Sequence, residues 1–591
     1  MEITSEKIRK NIARIKARVV SAELIAKYHD ELPLREEVFS VEHFELHAKK
    51  IAETHEIAAK HGENKLLKRL DENEEILIEV YDLLSATLEN ELKIVPAGEW
   101  LIDNFYLIEE QIRSAKKHFP KNFSKELPCL KNGPYALYPR VYCLALELIS
   151  HSDGRLHKNS LSRYIAAYQS KVNLTLGELW AIPIMLRLSL IENLRRVGVR
   201  IYMGRKDKDL AASWAERLIK KAEENPGEVI IEMAEMAKAG LSMTSAFVSE
   251  LVRRIQGQNA ALALSLTWLQ QRVFEQGTTL EQLVMLESQQ QAMDQVSVGN
   301  SINSLRLLDS LDWNEFVENM SSVHSLLAGD PAGLYSKMNF DTRDIYRHVI
   351  EKLARKSIFS EKEIAAKCVK LAAERTEAGE KNKYCHAGYF LIDRGLPELE
   401  KQVQYRRGLK DTAAGLLKKK PFFFYAGAVT VVTLLLSAAV ISFLFPYNSP
   451  LWHIFAAGSL ILFCAFNLGI SLVNWFITVF VRPKVLPKMD FSAGVPDEFR
   501  TLVAVPTIIF SRENIDRLLE KLEIEYYANK DKNIYFALLT DFADAAVRET
   551  EKDRELLEYV RNGIEDLNKK NQEERKSIFF LIHRDSVKNN D

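Results

Sequence analysis

Residues 421–445 read PFFFYAGAVTVVTLLLSAAVISFLF, 25 residues without a charge. A second run, Leu451 to Val481, carries 31 residues with only His453, Asn467 and Asn474 as notable polar groups. About 20 apolar residues cross a bilayer, so both runs are long enough to span one. The plain alternative is a pair of buried core helices, but uncharged runs of this length exceed what a soluble core helix needs. The joint between them is Pro446-Tyr447-Asn448-Ser449-Pro450, with no Lys or Arg and a proline at each end, so a tight helical hairpin is expected. Lys401, Arg406, Arg407, Lys410, Lys418, Lys419 and Lys420 precede the pair, with Asp411 the only acid among them, and Arg482, Lys484 and Lys488 follow it. Positive charge on both outer flanks places both flanks in the cytoplasm. Tyr425 and Trp452 stand near span ends, where aromatic rings anchor at the interface.

Outward from the hairpin, about 400 residues precede the membrane and about 110 follow it. The chain opens Met1-Glu2-Ile3 and turns at once into a charged helical pattern, which is not the pattern of a signal peptide. Of 591 residues, 47% are apolar and 27% charged, which excludes a mainly disordered chain. The net charge of −1 offers no basic excess for a nucleic-acid partner. Five cysteines, Cys129, Cys143, Cys368, Cys385 and Cys464, contain no CxxC pair, so reduced, mostly buried thiols are expected rather than a disulfide framework or zinc ribbon.

Residues 1–95 read as long amphipathic helices. Leu66, Leu67, Leu70, Ile76, Leu77, Val80, Leu83 and Leu84 recur mostly at spacings of three and four. Residues 96–200 hold Pro96, Pro120, Pro128, Pro134, Pro139 and Pro183, which predicts shorter helices there. No proline lies between Pro226 and Pro331, which favours long ones. After the membrane the pattern changes. Leu502–Phe510 (LVAVPTIIF), Ile534–Thr540 (IYFALLT) and Ser577–His583 (SIFFLIH) are short, buried-type strand runs. Helical patterns at about 512–527, capped by Ser511, and 552–570 separate them. The order β-α-β-α-β predicts a parallel sheet. Pro506 suggests that the first strand stops near it. Three strands leave an open edge, so the chain reads as a piece of something longer.

Thr540-Asp541-Phe542-Ala543-Asp544 closes the second strand, at the sheet end where α/β folds bind ligands. A carboxylate there accepts hydrogen bonds from a ribose or base, and a carboxylate pair holds a divalent metal; the plain alternative is a helix-capping pair on a solvated turn. Glu99, Trp100, Asp103, Asn104, Glu109, Glu110 and Arg113 form a charged cluster on one predicted helix, and Glu178, Trp180, Arg187, Glu192, Asn193, Arg195 and Arg196 a second. Ion pairs between and along helices account for both. His43 and His47, with His55 and His61 beyond, have metal-compatible spacing but no specified third ligand, and no metal site is assigned to them.

Several blocks together carry a resemblance. They include Glu99–Phe105 (EWLIDNF), Tyr138–Tyr142 (YPRVY), Leu176–Ala181 (LGELWA), Glu192–Arg196 (ENLRR) and Gln295–Ile302 (QVSVGNSI). Ser304–Arg306, Asp330–Gly333 (DPAG), Thr342–Asp344, Tyr346–His348, His386–Tyr389 (HAGY), Leu391–Gly395 (LIDRG), Val505–Thr507 and Tyr535–Phe542 (YFALLTDF) complete them. The chain resembles the N-terminal part of the cyclic β-1,2-glucan synthases of bacterial inner membranes. The resemblance implies a multi-pass membrane glucosyltransferase that builds β-1,2-glucan from UDP-glucose with a divalent metal, Mg or Mn. By motif, Asp541, Asp544 and Thr540 would contact the nucleotide sugar, with Pro506 and Thr507 at the strand and loop over it. The general base, a second acidic motif and further spans are missing from the pattern, so this chain is expected to be inactive alone and to need its C-terminal portion or a partner subunit. The competing reading is a membrane-anchored helical scaffold that assembles with a separate catalytic partner. The expected layout is an N-terminal helical segment (1–95), a helical cytoplasmic domain (96–410), transmembrane helices (421–445 and 451–481) and a partial α/β glycosyltransferase domain (500–591), with both termini cytoplasmic.

Overall fold

The computed structural model describes residues 23–58, 65–90, 93–119, 126–380, 382–408, 415, 420–444, 451–481, 483, 485–543, 550–571 and 577–584. The hairpin joint 446–450, the flanking Lys410, Asp411, Lys418, Lys419, Arg482 and Lys484, His61 and Asp544 all lie outside the described residues. The chain divides into two compact units: Met1–Gly329 with Arg347–Lys370 and Pro397–Tyr405, and the remainder.

The first unit is helical. Helix α1 spans Val41–Thr54 and α2 Lys65–Glu89; α2 buries Leu66, Leu70, Ile76, Leu77, Val80 and Leu84, most of the stripe read from the sequence. Helix α3 is Arg140–Ser152 and α4 is Leu176–Glu224, 49 residues long. Thr175 starts α4 with a reciprocal cap on Glu178. The expectation of short helices in 96–200 fails at α4, because Pro183 lies inside it. Proline removes one backbone bond, about 3 kcal/mol, but Met185, Leu186, Leu190, Ile191, Leu194 and Val197 are each buried, and that packing outweighs one lost bond. The predicted single helix over 99–113 is instead two, Pro96–Asp103 and Phe105–His118. Asn104 leaves the helical region at φ −114° and ψ 13°, and its amide donates to Trp100 O at 2.9 Å while its oxygen accepts from Arg306. Helix α5, Leu280–Ser310, lies within the Pro-free stretch and is 31 residues long.

The second unit holds the apolar hairpin and the sheet. Helices α6 (Pro421–Leu444) and α7 (Leu451–Phe480) are long and apolar enough to cross a membrane, and over their apolar windows only 17% and 11% of residues are buried. Core helices of a soluble domain would be mostly buried, so the pair supports membrane association. They pack antiparallel through small residues: a Cβ on Gly469 would stand 2.7 Å from Thr433 Oγ1, and the Tyr425 hydroxyl donates to Asn474 Oδ1 at 3.0 Å. Cys464 is exposed on α7, whereas the other four thiols are buried.

Strand β1 (Thr501–Ile509), helix α8 (Arg512–Ala528), β2 (Ile534–Phe542), α9 (Glu551–Lys570) and β3 (Phe579–His583) form the expected parallel unit, with strand order β1-β2-β3. Ser511 caps α8 by accepting the Asn514 N–H at 3.2 Å. The strand does not stop at Pro506, which pairs in register with Leu539. Thr501 N–H donates to Asn533 O, so alternate residues 503, 505 and 507 also face β2 and the Pro506 nitrogen faces away, where its missing N–H costs no ladder bond.

Candidate functional site

Both crossovers of the sheet run the same way, so α8 and α9 cover one face. That face buries Ile509, Phe536, Leu538 and Phe579 against Ile515, Leu522, Val560 and Ile564. The opposite face leaves Leu502, Ile508, Leu539, Phe580 and Ile582 exposed. Successive residues of a strand point to opposite faces, which separates the residues singled out from sequence. Thr507, Thr540 and His583 lie in one row on the helix-covered face, in mutual register. Pro506 and Asp541 lie on the open face. Asp544 lies outside the described residues.

Thr540 is fully buried, and its hydroxyl bonds His583 Nδ1 at 2.9 Å. Its carbonyl accepts the Arg584 N–H at 2.9 Å, which extends the β2–β3 ladder past the strand end. Thr540 thus holds the ends of β2 and β3 together through both its hydroxyl and its carbonyl. Asp541 is 40% exposed; one oxygen accepts the Phe542 N–H at 2.9 Å and the other stands 3.6 Å from Arg584 Nη1. A carboxylate and a guanidinium thus sit side by side at the carboxyl end of a parallel sheet, a pair able to accept from hydroxyls and donate to phosphate oxygens.

His583 and Arg584 were not singled out from sequence. The signal was present: His583 ends the third strand and Arg584 follows it, at the same edge that marked Asp541. The His583 ring packs on Phe542 at 4.3 Å, and its buried Nε2 has no partner among the described residues. No trio of His, Cys, Asp or Glu donors converges at this edge among the described residues. Asp541 alone, beside Arg584, does not make a divalent-metal site.

The sequence blocks in the helical unit meet as buried clamps. Arg140 grips Glu178 bidentately at 2.8 and 2.5 Å. Glu192, 1% exposed, accepts from Arg69, Asn73, Arg195 and Arg196. Burial pushes its carboxyl up, but Arg195, Arg69 and Arg196 together hold it well below the usual carboxylate range. Asn193 receives Leu34 N–H and donates to Ser297 and Ser301. In the second unit, Asp330 bonds His386 Nδ1 at 2.7 Å and Ala387 N at 2.8 Å, and His386 Nε2 meets the Tyr346 hydroxyl at 3.2 Å. A Cβ on Gly388 would fall 2.2 Å from that hydroxyl, so only glycine fits the HAGY block. This chain of three is buried and locks its segments together.

A cavity of about 740 Å³ in the helical unit is rimmed by Arg200, Arg205, Arg253 and Arg254. Arg200 pairs with Asp294, Arg205 with Asp209, and the last two with Glu250, so the rim is largely neutralised. His55 is no ligand candidate: burial and then Arg140 push its imidazole down to about 4, and Nδ1 meets Tyr168 at 3.1 Å.

No protein-family model matches the chain. Among curated proteins, the cyclic beta-(1,2)-glucan synthase NdvB of Rhizobium meliloti (strain 1021) is 31% identical over 521 residues, which cover 87% of this chain and 18% of that relative. The chain therefore spans about a fifth of the length of the curated relative it matches.

Proposed function

We propose that this chain, which is related to the cyclic beta-(1,2)-glucan synthases, carries a membrane anchor and the first part of the nucleotide-sugar site of a glucan-synthesising glycosyltransferase. The observation that carries the reading is the Asp541–Arg584 pair on the open face at the carboxyl end of the parallel sheet. Asp541 accepts from the hydroxyls of a ribose, and Arg584 faces the diphosphate. UDP-glucose is the donor. The C1–O bond to UDP breaks, a bond forms from C1 to the 2-hydroxyl of the growing β-1,2-glucan, and that hydroxyl gives up its proton to a base. The described residues of this edge bind and orient; the base and the divalent metal of the full reaction are assigned to none of them. The chain accordingly transfers no glucose by itself, and its catalytic completion comes from further polypeptide, in the same chain or in a partner subunit. It sits in a bacterial inner membrane through α6 and α7, with both outer flanks cytoplasmic.

Titration of the full chain in detergent with UDP-glucose tests the binding. Asp541→Asn should weaken it about tenfold to a hundredfold, the value of a charge-assisted hydrogen bond. Equal affinity in the variant, or no binding by the wild type, refutes the site and favours the scaffold reading. Incorporation of labelled glucose into glucan by membranes carrying only this chain would overturn the inactivity.

A further inference from the structure

The segment before α1 runs back along the end of α3. Glu36 N–H donates to Ser150 O and Phe39 N–H to His151 O, both at 3.0 Å. This brings three donors together: His47 from α1 and Glu147 and His151, one turn apart, from α3. Their ligand atoms all lie within 4.8 Å of one another. His47 Nε2 stands 3.0 Å from Glu147 Oε2, and His151 Nε2 stands 3.7 Å from the same oxygen and 3.2 Å from Glu36 Oε2.

The tautomer of His151 is set by its other nitrogen. Nδ1 lies 2.8 Å from the Glu37 carbonyl, which can only accept, so Nδ1 carries the hydrogen. With Nδ1–H fixed, Nε2 faces two carboxylates, an arrangement that calls for either a proton or a metal cation on Nε2. A backbone carbonyl fixing Nδ1–H and leaving Nε2 free is the usual outer support of a metal-ligating histidine. The rings are also locked. Phe39 stacks on His151 at 3.9 Å and 8°, and meets His47 edge-on at 5.2 Å. The side chain of His151 is 7% exposed, His47 23% and Glu147 32%, so the cluster is sheltered yet reachable.

We propose that His47, Glu147 and His151, with Glu36 as fourth ligand, bind a zinc ion that ties the segment before α1 to the end of α3. Two imidazoles and two carboxylates suit zinc. Bonds of about 2.0–2.1 Å in a tetrahedron place ligand atoms about 3.3 Å apart, close to the His47–Glu147, His151–Glu147 and His151–Glu36 separations of 3.0, 3.7 and 3.2 Å; Glu36, 62% exposed, completes the tetrahedron by swinging in over the other three. The site lies in the helical unit, and its role is structural.

The test uses the purified full chain in detergent, stripped with a chelator and returned to zinc chloride against a chromophoric competitor. One tightly held equivalent is expected. Cobalt(II) in its place should give the intense visible absorption of a tetrahedral site. Glu147→Gln, conservative and partly exposed, should lower zinc affinity about a hundredfold or more and abolish the tetrahedral cobalt spectrum at unchanged circular dichroism. Glu36→Gln should weaken it about tenfold. A wild-type chain that holds no zinc equivalent leaves a proton between these groups and overturns the proposal. Unchanged affinity and cobalt spectrum in both Glu147→Gln and His47→Gln would overturn it as well.

Discussion

Replacing Glu192 by Gln keeps the shape of the side chain and removes one charge from the core of the helical unit. Glu192 and Glu31 are the two carboxylates that face Arg69, Arg195 and Arg196. The Arg195 side chain is fully buried and Arg196 and Arg69 are 15% and 20% exposed, so water cannot take over from the lost carboxylate. Breaking one partner out of such a buried network costs about 3–5 kcal/mol. With an unfolding entropy of about 2.1 cal/mol/K per residue over a body of roughly 300 residues, that is a fall of about 5–8 °C in unfolding temperature. The carboxyl is held below its unfolded value of about 4.3, so its contribution is present above that pH and is lost as pH falls through the depressed folded value. Thermal unfolding of the full chain in detergent, followed by circular dichroism at pH 7 and at steps down to about pH 2, measures both effects. The double variant Glu192→Gln with Arg195→Met should recover part of the loss, because it removes the stranded guanidinium as well. An unfolding temperature within about 1 °C of wild type at pH 7 would refute the claim that this network is a buried clamp.

Burial pushes the Glu361 carboxyl up to about 7 while it accepts the Leu176 N–H at the start of α4 at 2.8 Å. The folded state holds the proton longer than the unfolded one, so wild-type stability should fall as pH rises from about 4.5 to 7, and Glu361→Gln should remove that slope and raise the unfolding temperature at pH 8. Gly469→Leu should drive α6 and α7 apart at Thr433 and cost about 1–3 kcal/mol in an SDS unfolding titration, whereas the same change at Gly427, which has open space around it, should cost little.

The sheet and the hairpin were legible because their signals are local. A strand run of seven to nine apolar residues and an uncharged run of 25 need no partner to be recognised. The long α4 was harder, since Pro183 is a local breaker overruled by packing from helices distant in sequence. At the break, Asn104 accepts from Arg306, some 200 residues away, a contact that no residue near Asn104 signals. The carboxylate at the end of β2 was found by position, but sequence could not separate Thr540, turned under the helices, from Asp541, turned to the open face. Pro506 misled for a related reason: whether a proline ends a strand depends on which way its nitrogen faces, and that is set by register. His47 was noted without a third ligand because Glu147 and His151 lie about 100 residues further along, on another helix.

The central claim is that the end of the parallel sheet receives a nucleotide sugar. Photo-crosslinking of the full chain in membranes with an azido derivative of UDP-glucose, followed by peptide mapping, tests it most directly. The account predicts label on peptides within residues 501–543 or 577–584, suppressed by excess UDP-glucose and lost in Asp541→Asn. Label confined to the helical unit, or label at the sheet that Asp541→Asn leaves unchanged, would contradict it.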